Sequence, residues 1–353
     1  MATKRVIVHP VARMKERVLI RDVAKRAGVS ASTVSRALRA DARIRPEVRA
    51  RIQALAEAMG YRPDPHLRAL AKYRTKGKAA EFRGVLAWMS DGPKRAGWKN
   101  YERGVYFEGA KRRAAELGYD VEPFWAGEPG LTAERLRQIL VARGVRGVLL
   151  PPPSLDRGRV ELPWEGLAVV SFGCSRVEPR LHSIHNHHYR SMELLLASLH
   201  ALGYRRPGLA LTRSVNASVD GAWSAAYFNF HYESGAKLPA PLISDDWGAK
   251  ELLAWRVAQR VDVVVTEREA ALGWLRAGSV AVPGECGFAL TARHQGHPDC
   301  AGIDENSAVI GAAAVDLLTS LVERGETGVP ENPQNVLIEG FWSPLGGTVR
   351  RVG

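Results

Sequence analysis

Three cysteines in 353 residues, Cys174, Cys286 and Cys300, are too few and too far apart for a disulfide framework or a CxxC metal motif. Their scarcity suits a reducing compartment, and a cytoplasmic location is the expectation. Long apolar runs are also missing. No window approaches the roughly 18 uninterrupted apolar residues of a membrane-spanning helix, so no membrane partner is expected. The opening MATKRVIVHPVARMKER is basic, but it lacks a continuous apolar stretch and a small-residue cleavage site, so export is not expected. Catalytic signatures are lacking as well: there is no nucleophile elbow, P-loop or post-strand GxGxxG, and GECGF is not a cysteine-protease motif. Acidic pairs such as Asp245–Asp246 have no recognisable partner and read as loop or cap residues. No catalytic residue, metal ligand or cofactor is assigned, and the chain is not expected to be an enzyme.

What is present begins with an uneven charge. The net charge of +13 is carried by the first 80 residues, which hold 20 Lys and Arg against 6 Asp and Glu; the remainder holds 30 against 31. A basic head on a neutral body points to a polyanion partner contacted by the head. A bare basic run would equally suit a solvated tail. This one also has apolar helical periodicity, which a tail does not need.

Ile20, Val23, Ala24 and Ala27 recur at helical spacing, and Gly28 then supplies the left-handed backbone of a tight turn. Val29 is the apolar turn residue, and Ser30 suits the N-cap of a second helix whose Val34, Ala37 and Leu38 face inward. A third helix starts at Pro46, aligns Val48, Ile52, Leu55 and Met59 on one face, and closes at Gly60. Three short helices with a glycine turn between the first two describe a helix-turn-helix unit. The second helix exposes Ala31, Ser32, Thr33, Ser35 and Arg36. Small residues let a helix sit deep in a major groove, hydroxyls bond phosphates or base edges, and an arginine grips guanine.

The run IRDVAKRAGVSASTVSRAL…RPEVRARIQALAEAMGYRPDPHLRALA closely resembles the DNA-binding segment of the LacI/GalR family, almost without gaps from Val18 to Ala71. The resemblance places Ser30, Ala31, Ser32, Thr33, Ser35 and Arg36 at recognition-helix positions, and Arg21 and Arg39 are further candidate DNA contacts. It makes PDPHLRALA a hinge helix with Leu70 as the residue wedged into the minor groove; docked there, Arg68 would meet phosphate. Arg39 stands where the family usually has asparagine, Pro65 sits near the hinge start, and residues 1–17 form a basic arm without counterpart. The division expected is an arm (1–17), a helix-turn-helix domain (18–63), a hinge (64–78) and an effector-binding and dimerisation domain (79–353).

Beyond residue 83, short apolar strands alternate with amphipathic helices: GVLAWMS (84–90), RGVLLP (146–151), LAVVSF (167–172), GLALT (208–212), VDVVVT (261–266) and CGFAL (286–290). Such strands with helical crossovers mean parallel sheets covered on both faces, here in two lobes. ALGYRRPGLAL, VDVVVTEREAALG, VPGECGF and IDENSAVIGAAAVDLL resemble blocks of the family's periplasmic-binding-protein-like effector domain. The fold class expected is therefore multidomain α+β: a three-helix head plus hinge, then a two-lobed α/β body. Lobe 1 would take residues 79–175 and 299–326, lobe 2 residues 183–291 and 335–353, with crossings near 175–183, 291–299 and 326–335.

Ligands of such sheets bind at the strand carboxyl ends. There the family's usual arginine is Ala222, its Asn-Asp pair is Glu267-Arg268, and an aspartate is Ala289. Candidate effector residues are instead Ser90, Phe172, Asp220, Trp223, Glu267 and Arg293, with Trp98, Tyr101 or Trp247 as stacking faces. The effector is left open between a carbohydrate and other small molecules. In HSIHNHHYRSM, His182, His185, His187 and His188 offer imidazoles, but no carboxylate or cysteine completes a ligand set in the sequence, so the segment reads as a lobe-changing strand followed by a helix start.

The resemblance implies a homodimeric regulator, read as a repressor, on a near-palindromic double-stranded operator, with a small-molecule effector controlling affinity. Two readings stay open beside it: an architectural DNA-binding protein whose pocket has lost function, and a small-molecule binding protein without a regulatory role.

Overall fold

The computed structural model describes residues 18–38, 44–59, 61, 82–92, 102–152, 164–174, 178–235, 239–293 and 299–352. The arm 1–17, Arg39, Gly60, the hinge with Arg68 and Leu70, and Trp98 and Tyr101 lie outside them. The chain divides into two compact units, Met1–Ala79 and Ala80–Gly353.

The first unit holds α1 (Ile20–Ala27), α2 (Ala31–Leu38) and α3 (Pro46–Ala58). Asp22 in the first turn of α1 accepts from the Leu19 N–H at 2.8 Å, and Gly28 ends the helix at φ +67°, the left-handed region open to glycine. Ser30 Oγ then accepts from the Thr33 N–H at 3.1 Å and caps α2. Val23, Ala24, Val34, Ala37, Ile52 and Ala56 form the core, with Ile20, Leu38 and Val48 against it. Two α3 side chains complete the other helices' carboxyl ends: Arg51 donates to Ala27 O and Gln53 to Ala37 O, both at 3.3 Å.

Among the described residues, the second unit contains two six-stranded sheets. The first lobe carries β1 (Gly84–Ser90), β2 (Tyr119–Trp125), β3 (Gly147–Leu150), β4 (Ala168–Phe172), β5 (His182–Asn186) and β11 (Asn335–Ile338), in the order β11-β5-β4-β3-β1-β2, all parallel. Its helices are α4 (Glu102–Leu117), α5 (Ala133–Ala142) and α11 (Ser307–Arg324). Leu86 and Trp88 pack on the α4–α11 face, while Ala87 and Met89 between them pack on the α5 face. This is the period-2 alternation of a strand covered on both sides. Helices α4 and α11 touch backbone to backbone, since a Cβ at Gly311 would run into the Tyr106 carbonyl oxygen.

The second lobe carries β6 (Pro207–Leu211), β7 (Leu242–Ile243), β8 (Val263–Thr266), β9 (Gly287–Leu290), β10 (Ala301–Asp304) and β12 (Phe341–Ser343), in the order β12-β10-β9-β8-β6-β7. Only β12 is antiparallel to its neighbour. Its helices are α6 (His188–Ala201), α7 (Arg213–Ser218), α8 (Ala222–Ser234), α9 (Ala249–Ala258) and α10 (Ala270–Ala277). Helices α6 and α8 cover Leu209, Leu211, Val263 and Val265, whereas Ala210, Val264, Phe288 and Leu290 face α9 and α10.

The chain changes lobe three times, each time later than the sequence suggests. Strand β5 pairs with β4, β10 with β9, and β11 with β5, so the crossings follow Asn186, Asp304 and Ile338 rather than falling near 175–183, 291–299 and 326–335. The lobe limits shift accordingly. A strand built as His-Ser-Ile-His-Asn has one large apolar residue, and its identity comes from ladder pairing instead of its own pattern.

Candidate DNA interface and effector cleft

In the first unit, burial splits α2 into two faces. Val34 and Ala37 are fully buried, whereas Ala31, Ser32 and Arg36 are exposed and Thr33 and Ser35 partly so. Arg21 on α1 and Ser30 at the turn are exposed too. The hydroxyls of Ser30, Ser32 and Thr33 form a chain with 2.8 Å links. Small and hydroxyl side chains thus occupy the start of a helix whose last turn carries a guanidinium, an arrangement that can enter a major groove and read base edges.

In the second unit, the three crossings are tied together by Asn186, which is 1 % exposed. Its amide donates to the carbonyls of Glu305 at 3.4 Å and Ile338 at 3.2 Å, and its Oδ1 accepts from Ser191 Oγ at 2.7 Å. The His187 N–H donates to Ile338 O at 2.8 Å, and Asn306 Nδ2 to Glu339 O at 2.9 Å. One side chain therefore bonds all three strands of chain that join the lobes. Sequence reasoning missed it, because Asn186 sits inside a histidine run that drew the attention.

The histidines of that run part ways. His182 Nδ1 accepts from the Gln334 N–H at 3.1 Å, and burial holds its pKa below the ordinary histidine value. His187 caps α6, its Nδ1 lying 3.5 Å from the Arg190 N–H. His185 and His188 instead lie parallel, ring centres 5.6 Å apart, beside Cys174 in the turn after β4. The Cys174 Sγ is 3.4 Å from both ring nitrogens of His185. His188 Nδ1 lies 3.3 Å from Glu305 Oε1, and its ring meets Trp223 edge-on. The expectation that no cysteine or carboxylate joins these histidines is thereby corrected: both come from elements distant in sequence. Burial, with Asp220 and Glu305 nearby, pushes the Cys174 thiol up to about 12, and burial lowers His185.

The remaining candidates scatter along the strand carboxyl ends. Ser90 ends β1, and Asp220 is exposed in the turn between α7 and α8. Phe172 lies in the core of the first lobe, 1 % exposed, its ring 5.2 Å from Trp88 and 5.3 Å from Tyr106. It ends a strand with both faces covered, so its ring packs instead of lining a cleft. Trp223 is likewise buried in the second lobe's core, its edge on His188. Arg293 follows β9, its N–H donating to Ile303 O at 2.6 Å.

Glu267 is bound to its own lobe. Its Oε1 accepts from the Thr212 N–H at 2.9 Å and from Thr212 Oγ1 at 2.5 Å, joining the ends of β8 and β6. Arg268 donates to the same Thr212 Oγ1 at 2.9 Å and to Trp247 O at 2.8 Å, its guanidinium 4.6 Å above the Trp247 ring. Glu267 Oε2 is buried with no hydrogen-bond partner among the described residues.

Residues 19–64 match the family model of bacterial regulatory proteins, lacI family. No curated protein matches the chain. Among solved structures, the lac repressor dimer bound to operator and the anti-inducer ONPF is 18 % identical at a TM-score of 0.55, covering 95 % of this chain and 100 % of that one. A transcriptional regulator CelR–cellobiose complex is 21 % identical at 0.57, covering 96 % and 100 %. The LacI-family regulator CCPA from Weissella paramesenteroides, with bound glucose, is 12 % identical at 0.53, covering 76 % and 99 %. The fold is thus a lacI-type head followed by a two-lobed α/β body, as the sequence suggests. No helix among the described residues is long and apolar enough to cross a membrane.

Proposed function

We infer that this chain is a LacI-family regulator that works in the cytoplasm as a homodimer on a near-palindromic operator, where it represses transcription until a small molecule bound between the lobes alters its affinity. The observation that carries the reading is the head. A helix-turn-helix matched by the family model presents Ser32 and Arg36 outward from a helix held by Val34 and Ala37. The charge supports it, since the basic excess lies in the first 80 residues. Two heads in one dimer would read two half-sites, and coupling between lobes and heads is linkage: a ligand favouring one lobe arrangement shifts the DNA-competent population. No step of this reading needs catalysis.

Effector chemistry is the finer part. The relatives with cellobiose or glucose make carbohydrates the first class to try. Thermal unfolding of the whole protein against a sugar and metabolite panel, followed by operator binding with each stabilising compound, tests this. The reading expects at least one compound to raise Tm and change operator affinity. A protein that binds operator yet responds to no compound would be the architectural alternative.

A further inference from the structure

We propose that Cys174, His185 and His188 form a transition-metal site of the Zn²⁺ class at the junction of the two lobes, with Glu305 orienting His188. The inference goes beyond the regulatory reading and stands apart from it, since metal binding needs neither head nor operator. Three ligand atoms, one from each residue, lie within 4.8 Å of one another, and all three residues are partly exposed. Zn–S of about 2.3 Å and Zn–N of about 2.0–2.1 Å at a tetrahedral angle put sulfur and nitrogen about 3.5 Å apart. The Cys174 Sγ to His185 nitrogen distance is 3.4 Å.

The second layer fits as well. His185 Nδ1 donates to the Asn186 carbonyl at 2.8 Å, which fixes the proton there and leaves Nε2, 3.4 Å from the sulfur like Nδ1, as the nitrogen that can ligate once the thiol rotates towards its lone pair. His188 Nδ1 faces the buried Glu305 carboxylate at 3.3 Å. A ligating histidine whose other nitrogen is held by a carbonyl or carboxylate is the usual outer arrangement of a metal site. The other two histidines of the run spend their Nδ1 on backbone N–H groups of Gln334 and Arg190. The set divides, two imidazoles for local structure and two for the ion.

A thiol with two imidazoles selects a borderline-soft ion over Mg²⁺ or Ca²⁺, which prefer oxygen ligands. On binding, the thiol releases its proton to solvent and the thiolate bonds the metal. Three protein ligands leave a fourth position for water or an effector oxygen. The ligands come from the turn after β4, from β5 and from the first turn of α6, and Glu305 follows β10. An occupied site would therefore fasten the first lobe across the first crossing, with Glu305 of the second crossing braced against His188.

The test is titration of the chelator-treated whole protein with Co²⁺, read by its absorption spectrum, followed by competition with Zn²⁺. The proposal expects one Co²⁺ per chain with a thiolate-to-cobalt charge-transfer band, displaced by Zn²⁺. Cys174→Ser should abolish the band. Glu305→Gln should keep the band and weaken affinity by about 10–100-fold. His182→Gln should bind as the unaltered protein does. Circular dichroism of each metal-free variant separates lost binding from lost folding, and the spectrum of the unaltered protein does not depend on any variant. No charge-transfer band in the unaltered protein, or a band that survives Cys174→Ser, overturns the site. Operator binding is not read in this experiment, so its failure leaves the regulatory reading standing.

Discussion

Asn186 Oδ1 accepts a 2.7 Å hydrogen bond from Ser191 Oγ, fixing the amide so that its NH₂ group reaches the carbonyls of Glu305 and Ile338. Cutting the side chain to alanine leaves a buried hydroxyl and two carbonyls without this donor or acceptor. Buried groups deprived of a partner cost about 1–3 kcal/mol each, with partial relaxation. Asn186→Ala should lower stability by about 2–4 kcal/mol in urea unfolding. A loss below about 0.5 kcal/mol, the level of an ordinary surface substitution, would deny Asn186 its role at the crossings.

His182 gives a pH dependence. Its Nδ1 must keep a lone pair for the Gln334 N–H, and desolvation by burial lowers its pKa, with Glu326 and Arg324 acting in opposite directions. A histidine depressed in the fold binds its proton more readily in the unfolded chain. Stability should therefore fall as pH drops from about 6.5, the unfolded value, towards the lower folded value. Urea midpoints at neutral and mildly acid pH, compared with those of His182→Gln, isolate this contribution. The variant should show a shallower decline; an identical decline would place the pH sensitivity elsewhere.

Glu267 should act first as a brace. Its Oε1 holds both the Thr212 N–H and hydroxyl. Glu267→Gln keeps an acceptor oxygen there, whereas Glu267→Ala removes it. Hydrogen bonds to a charged group contribute about 1.5–3 kcal/mol, so alanine should cost roughly that and glutamine clearly less. Equal losses in denaturant unfolding would mean that the charge, not the acceptor, matters.

In the head, Ser30→Ala removes the cap of α2 and should cost about 1 kcal/mol. Arg36→Ala should leave stability unchanged, since the side chain is exposed, while operator affinity falls by about 1–3 kcal/mol and discrimination relaxes at one position per half-site. An equal loss on every DNA sequence would make Arg36 a phosphate contact.

The head was legible because its signals are local. Gly28, Ser30 and Pro46 each mark a helix end by backbone chemistry, and Val23, Val34 and Ile52 fall inward by helical spacing alone. Strands β1, β4 and β9 were legible for the same reason, being nearly continuous apolar runs. The lobe crossings were not. Strand β5 is mostly polar, β10 reads Ala-Gly-Ile-Asp with one large apolar residue, and β11 is a half-exposed edge strand, so only their partners make them strands. Phe172 illustrates the same limit at the site: its place at a strand's carboxyl end suggests a cleft residue, while packing on Trp88 and Tyr106 puts it in the core. The grouping of Cys174 with His188 and Glu305 was beyond local reading, since sheet order alone brings these segments together.

Whether the head reads sequence is measured by the ratio of affinities for specific and scrambled DNA. A site enriched by the whole protein from a random duplex pool, and a shuffled duplex of equal length, would be titrated by fluorescence anisotropy at one physiological salt concentration. A sequence-reading regulator should enrich an inverted repeat and bind it at least about 10³-fold more tightly than the shuffled duplex. A ratio near one, with both affinities falling alike as salt rises, would mean that the basic head only neutralises phosphates and that the protein is not a sequence-reading regulator.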